Sequence, residues 1–262
     1  MSRLTNTREK QEGMGPRKRL LTSLLLLLLA FVGISVATYS WFTISDHAHS
    51  KNMRLDVTGD NLLRFDLDAH GSFEEYTKTL NFSQIGARMQ AESGFDVNTS
   101  NLQPVTTSDY STFTFEDGTV ASKESGAYLE FTLHFISLDG CIVHLSSADG
   151  TNGEQGTKFS SSLADLPSSM RMCFSSDNRT WVYDPNQTAV ATTSGSVTIF
   201  GMASSSEFVA DDSNAMFSLA PNEDKAVVVR IWMEGTDSHC TNALKGGDYA
   251  ISMRFEGTRL TD

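Results

Sequence analysis

The sequence predicts an all-β fold: an antiparallel sandwich or jelly roll with one or two short helices, preceded by an N-terminal hydrophobic signal helix. Three observations predict it. Apolar residues recur at every second position in run after run, which sets one face of an extended chain toward a core. Gly, Asn, Asp and Ser punctuate these runs, and helical periodicity is confined to one or two short stretches.

Taken in order, "MRLDV" (53–57) and "LLRFDLD" (62–68) alternate around the turn residues Gly59, Asp60 and Asn61. "SQIGARMQAE" (83–92) has the spacing of a helix, and "SSLADL" (161–166) that of a turn or two. In "YLEFTLHFISL" Leu129, Phe131, Leu133 and Phe135 share one face; Asp139-Gly140 then reads as a hairpin turn into "CIVHL". "SMRMCF" and "TWVY" read as a second hairpin through residues 175–179. Near the end, "AVVVRIWM" aligns Val227, Val229, Ile231 and Met233, and "DYAISMRFE" aligns Tyr249, Ile251, Met253 and Phe255. The polar stretches 146–162 and 203–214 read as surface loops. About eight to ten short strands with no internal linker make one sandwich domain.

The head of the chain differs from everything that follows. Arg3, Arg8, Lys10, Arg17, Lys18 and Arg19 lead into six leucines, Leu24 to Leu29, and no charge intervenes between Arg19 and Asp46. A basic segment before a leucine-rich core is the pattern of an export signal. The run is also long enough for an uncleaved anchor, since about 20 apolar residues cross a bilayer. The organisation expected is a signal peptide or signal anchor over 1–40 and a single domain over 41–262, whose first part, 41–57, is extended.

Composition excludes some functions. The chain has 20 basic and 32 acidic residues, and the first 40 hold six and two of them, leaving the remainder near −16. That rules against a general nucleic-acid grip, which needs a basic stripe, and leaves membrane attachment to the signal segment alone. Cys141, Cys173 and Cys240 are odd in number and widely spaced, so at most one bridge forms; buried thiols are the alternative.

No catalytic motif is present: there is no His-Glu-x-x-His, no Gly-x-Ser-x-Gly and no phosphate-binding Gly-rich loop. Six scattered histidines, of which only His47 and His49 are close in sequence, do not make a zinc set. Acidic stretches at 66–75, 115–119 and 209–214 lack calcium-loop spacing and read as solvated surface. Asn81, Asn98, Asn178 and Asn186 each begin an Asn-x-Ser/Thr acceptor. Trp232 is either an exposed binding aromatic or packed under a loop, with Glu234 and Asp237 capping the next turn. No catalytic residue, metal ligand or cofactor is assigned.

"GISVATYSWFTISDHAHSKNMRLDV" resembles the N-terminus of the TasA/camelysin family of exported Gram-positive proteins processed by a dedicated (SipW-type) signal peptidase. The resemblance places cleavage after Ser40, before Trp41, with Ala37 as the alternative under the general small-residue rule. Asp46 stands further from the aromatic pair than the family pattern has it, and Ser replaces the usual Ala at the cut. Residues 227–257 also resemble the ending of exported clostridial proteins with that signal type. Together the two stretches cover about 50 residues of the 262.

The resemblance implies a jelly-roll subunit of extracellular fibres or surface layers in a biofilm matrix. It would associate with itself or related subunits when the freed N-terminal segment adds as a strand to a neighbour's sheet. Met53, Leu55 and Val57 would then fill inward pockets while Arg54 and Asp56 face out. Pairing of this segment with "LLRFDLD" in its own chain fits the alternation equally. The expected protein is thus a secreted, non-enzymatic structural component. Two alternatives stand beside it: a membrane-anchored or secreted module binding polysaccharide or a host surface, and a camelysin-like metal-dependent protease.

Overall fold

A computed structural model describes residues 23–27, 48–58, 63–97, 101–150, 154–187, 190–202 and 214–260. The chain divides into two compact units, Met1–Ile44 and Ser45–Asp262. In the first, the described residues 23–27 form a helical turn with exposed leucines. Among the described residues no helix is long and apolar enough to cross a membrane. The expected cleavage residues Ala37, Ser40 and Trp41 lie outside the described residues, as do His47 and most of the 203–214 loop.

The second unit is all-β. Its strands are β1 (Ala48–Thr58), β2 (Leu63–Asp66), β3 (Thr79–Asn81), β4 (Asn101–Leu102), β5 (Pro104–Val105), β6 (Phe113–Thr114), β7 (Val120–Ala121), β8 (Tyr128–Ser137) and β9 (Cys141–Leu145). They continue with β10 (Lys158–Ser161), β11 (Met170–Ser176), β12 (Arg179–Tyr183), β13 (Thr192–Ser194), β14 (Val197–Phe200), β15 (Ala215–Leu219), β16 (Lys225–Glu234) and β17 (Asp248–Arg259). Helix α1 (Phe82–Ser93) follows β3, and a single turn, α2 (Leu166–Ser169), precedes β11.

One sheet runs β15-β9-β17-β1-β3, with β10 also on β17 and β4 also on β1. The other runs β13-β14-β12-β11-β16-β8-β2, with β5 on β16. Their inward faces share one core. Phe255 of β17 meets Phe65, Phe135 and Phe174 of the opposite sheet edge-on, with centroids 5.0 to 6.0 Å apart. Leu129, Phe131, Leu133 and Phe135 are buried, as are Val227, Val229, Ile231 and Met233 and the alternate residues 249 to 255, so the two-residue period identified the core faces correctly.

Several expectations are corrected. Asp139-Gly140 does not close a hairpin: β8 lies in the second sheet and β9 in the first. Both flanks of β8 are taken, by β16 and β2, so β9 has no open edge there and pairs with β17 and β15 instead. The turn, with Gly140 at φ 78°, rounds a corner between sheets. By contrast β11 and β12 do form the expected hairpin, with Asp177 and Asn178 at φ 50° and 62°, the left-handed pair such a tight loop requires.

The sheets are mixed rather than wholly antiparallel: β1 with β17, β12 with β14 and β16 with β5 are parallel pairs. The polar stretch 146–162 is not all loop, because β10 adds to β17 and buries Phe159. Helix α1 extends the predicted 83–92 by one residue at each end. The Asn81 side chain accepts from the Gln84 N–H at its start, and Gly94 ends it in the left-handed region. The expected turn over 161–166 is present, with the Leu166 N–H donating to the Leu163 carbonyl, and α2 begins at Leu166 with Pro167 in its first turn. All three cysteines are buried free thiols.

Candidate functional site

The strand expected to mediate assembly is an interior strand of its own sheet, flanked on both sides. Met53, Leu55 and Val57 point inward and are buried. Along one flank they lie beside Ile251, Met253 and Phe255 of β17 in parallel register. Along the other, Leu55 faces Leu80 of β3, and β4 pairs with the beginning of the strand. The alternative partner, "LLRFDLD", is not used: β2 joins β8 in the opposite sheet. His49 lies on β1 at the level of Asp248.

The outward side of β1 departs from the expected pattern. Arg54 is exposed, but Asp56 is only 1% exposed. The cause is residues 146–150 and 154–157, which lie over the outer face of this sheet. The Ser252 hydroxyl donates to the Gly156 carbonyl at 2.6 Å, and the Arg254 N–H donates to the Thr157 hydroxyl at 2.9 Å. Arg254 Nη1 reaches the Ala148 carbonyl at 2.5 Å. At Gly156 a Cβ would lie 1.9 Å from the Ser147 carbonyl oxygen, so only glycine lets the backbones approach this closely.

Charged groups are enclosed beneath this cover. Asp56 sits in register with Arg254, and Arg54 Nε lies 2.7 Å from Asp56 Oδ2, an ion pair without hydrogen-bond alignment. Arg254 is paired with Glu256 at 2.5 Å. Burial pushes the carboxyls of both Asp56 and Glu256 above the ordinary range, because removing water penalises the charged form more than the guanidinium groups favour it.

On the second sheet a cleft of about 310 Å³ opens between β11, β12 and the end of β16, with Tyr110 in its lining. Arg171 dominates it: Nη1 donates to the Ser168 and Met170 carbonyls, Nε lies 3.1 Å from Asp184, and Nη2 pairs with Asp237. Asn186 donates to Asp237 at 3.0 Å and His239 Nδ1 lies 2.8 Å from it. Burial alone would raise the Asp237 carboxyl, but its bonds from His239 and Arg171 outweigh that and hold it below the ordinary range.

Trp232 is buried under the 104–121 segment, against Phe113 and Tyr110, and its Nε1 donates to Glu234 at 2.9 Å. Glu234 and Asp237 cap the following turn as expected, accepting from the Thr236 and His239 N–H groups. The cleft's charged side chains therefore satisfy one another. Arg171, Asp184 and Asp237 are far apart in sequence, and no local motif could have united them.

Several carboxylates of the acidic stretches 66–75 and 115–119 also have partners, while 209–213 lies outside the described residues. Arg64 lies 3.1 Å from Glu74 and His70 3.6 Å from Asp66, while Arg88 holds Asp68. Asp117 accepts from the Thr119 N–H in the β6–β7 turn. Among the described residues no group of three or more His, Cys, Asp or Glu side chains is placed to hold a metal ion. Comparison with known proteins returns no matching family model, no matching curated protein and no matching solved structure.

Proposed function

We propose that this chain is a secreted structural protein of a Gram-positive cell surface or biofilm matrix, with a jelly-roll body that assembles through its N-terminal strand. In this reading residues 1–40 form a signal helix removed by the dedicated peptidase, with Ser40 and Trp41 flanking the cut and Ala37 as the alternative. If the segment is retained, the same body is displayed on the membrane. The resemblance of the N-terminal stretch motivates the export route.

One observation carries the assembly reading. The strand β1 pairs in parallel with β17, close to the other end of the chain, and no short connection ties it to either flanking strand. An antiparallel hairpin strand is held in place by its turn, whereas a parallel strand that no short turn joins to its partner can be supplied by any copy that presents it. Met53, Leu55 and Val57 would fill the same three inward places in a neighbour as in their own sheet. No cofactor enters this function, and the partners are copies of the chain or related subunits.

A double substitution, Asn52→Cys with Ala250→Cys, tests it, since these residues face each other in the β1–β17 register. On oxidation, monomers close the bond within one chain. Assembled material gives covalent ladders on non-reducing denaturing gels if β1 is exchanged between copies. Only intramolecular bonds in assembled material would sink the mechanism.

A further inference from the structure

The buried charges beside β1 have a role that assembly does not require. Asp56 is enclosed with neither carboxylate oxygen receiving an aligned hydrogen bond among the described residues. Acting on it are Arg54 from β1, Arg254 from β17 and Glu154 from the covering segment, and Glu256 of β17 pairs with Arg254. The other flank, β3, opposes it with Thr79, and Lys78 meets β1 through its carbonyl, which accepts from the Val57 N–H at 2.9 Å. Asp56 thus lies among charges of both signs. Arg254 is already engaged by Glu256 and the Ala148 carbonyl. Arg54 is left for Asp56, and its side chain is 45% exposed, so water screens the attraction.

We propose that β1 docking is pH-dependent: the strand is held most firmly when Asp56 is protonated and loosens as Asp56 ionises. A buried carboxylate without aligned donors keeps its desolvation cost for as long as it is charged, and undocking returns it to water. The sign follows from linkage. Asp56 binds its proton more tightly docked than undocked, so the docked strand has its full stability below the ordinary aspartate range, near pH ~3.9. Stability falls as pH rises through the window between that value and the raised one, by at most about tenfold in the docking equilibrium per pH unit for one proton, and levels off above it. The direction is opposite to that of a salt-bridged surface carboxylate.

The test is hydrogen–deuterium exchange of the full chain in mild detergent from pH 4 to 8. Protection of the 53–57 amides, corrected for intrinsic exchange, is compared with that of β16 in the same sample. Protection of β1 relative to β16 is expected to fall with rising pH in wild type and to stay level in Asp56→Asn, which keeps the side chain's shape without its charge. A level wild-type profile, or an Asp56→Asn profile with the wild-type slope, overturns the proposal. Should that variant fail to fold, NMR titration of the Asp56 carboxyl carbon in wild type replaces it, and a midpoint at or below the ordinary aspartate range is the overturning result.

Discussion

The Phe255 ring stands edge-on to the Phe135 ring, centroids 5.0 Å apart and planes at 79°, one from each sheet. Both are fully buried, and Phe65 touches both. This contact joins the middle of the core from its two sides. Replacing either ring with alanine removes transfer free energy and leaves a cavity in a close-packed interior, a loss of about 3–5 kcal/mol. Denaturant midpoints of Phe255→Ala and Phe135→Ala are expected to drop accordingly, with the leucine variants in between.

Helix α1 offers a smaller and cleaner effect. Asn81 accepts from the Gln84 N–H at 3.1 Å, and the Gln84 side chain accepts in return from the Asn81 N–H at 3.0 Å. Asn81→Ala is expected to cost about 1 kcal/mol and Asn81→Asp close to nothing. Equilibrium unfolding measures both, and an alanine variant as stable as wild type would contradict the capping role. The same side chain heads a glycosylation acceptor, so occupancy there would compete with the cap.

Arg171 ties Ser168, Met170, Asp184 and Asp237 together at the cleft. Arg171→Ala leaves two carboxylates facing each other without their cation and is expected to lose about 3–5 kcal/mol, whereas Arg171→Met with Asp237→Asn loses much less. The pH dependence has the usual acidic sign. Asp237 is held below its ordinary range, so its contribution is complete above that range and is lost as pH falls through the lowered value. Acid unfolding of Asp237→Asn should lack that component.

Cys173 is fully buried, and burial pushes its thiol up to about 12; Cys240 is pushed up to about 11. Because the thiolate is the reactive form, neither is expected to react with iodoacetamide at pH 8 while the chain is folded. Both should react within minutes in denaturant. Rapid labelling of the native protein, read by mass, would show that β11 or the loop after β16 opens locally.

Alternation of apolar and polar residue types made the core faces legible, as in Val227 to Met233 and Tyr249 to Phe255, even where β17 is buried on both sides. It could not say which strand pairs with which. A turn signal such as Asp139-Gly140 specifies a tight reversal, but the partner is set by which sheet edge is still open. The strand β10 writes no period in the sequence because its single buried side chain, Phe159, stands between Lys158 and a run of serines. Alternation sets Asp56 on the outward face, and the structure agrees in direction. What covers it is a segment about 90 residues later, which no local pattern encodes.

The pairing of β1 with β17 also fixes the order in which the body can be completed. The first strand of the domain waits for the last one, nearly 200 residues further along the chain, so its principal contacts are among the most non-local the molecule makes. High contact order slows folding. Until the final strand emerges from the ribosome, this sheet lacks the member that joins β9 and β10 to β1, and its incomplete edges cannot lock. A sheet whose joining member comes so late in the domain closes in one step, when β17 meets β1, rather than hairpin by hairpin.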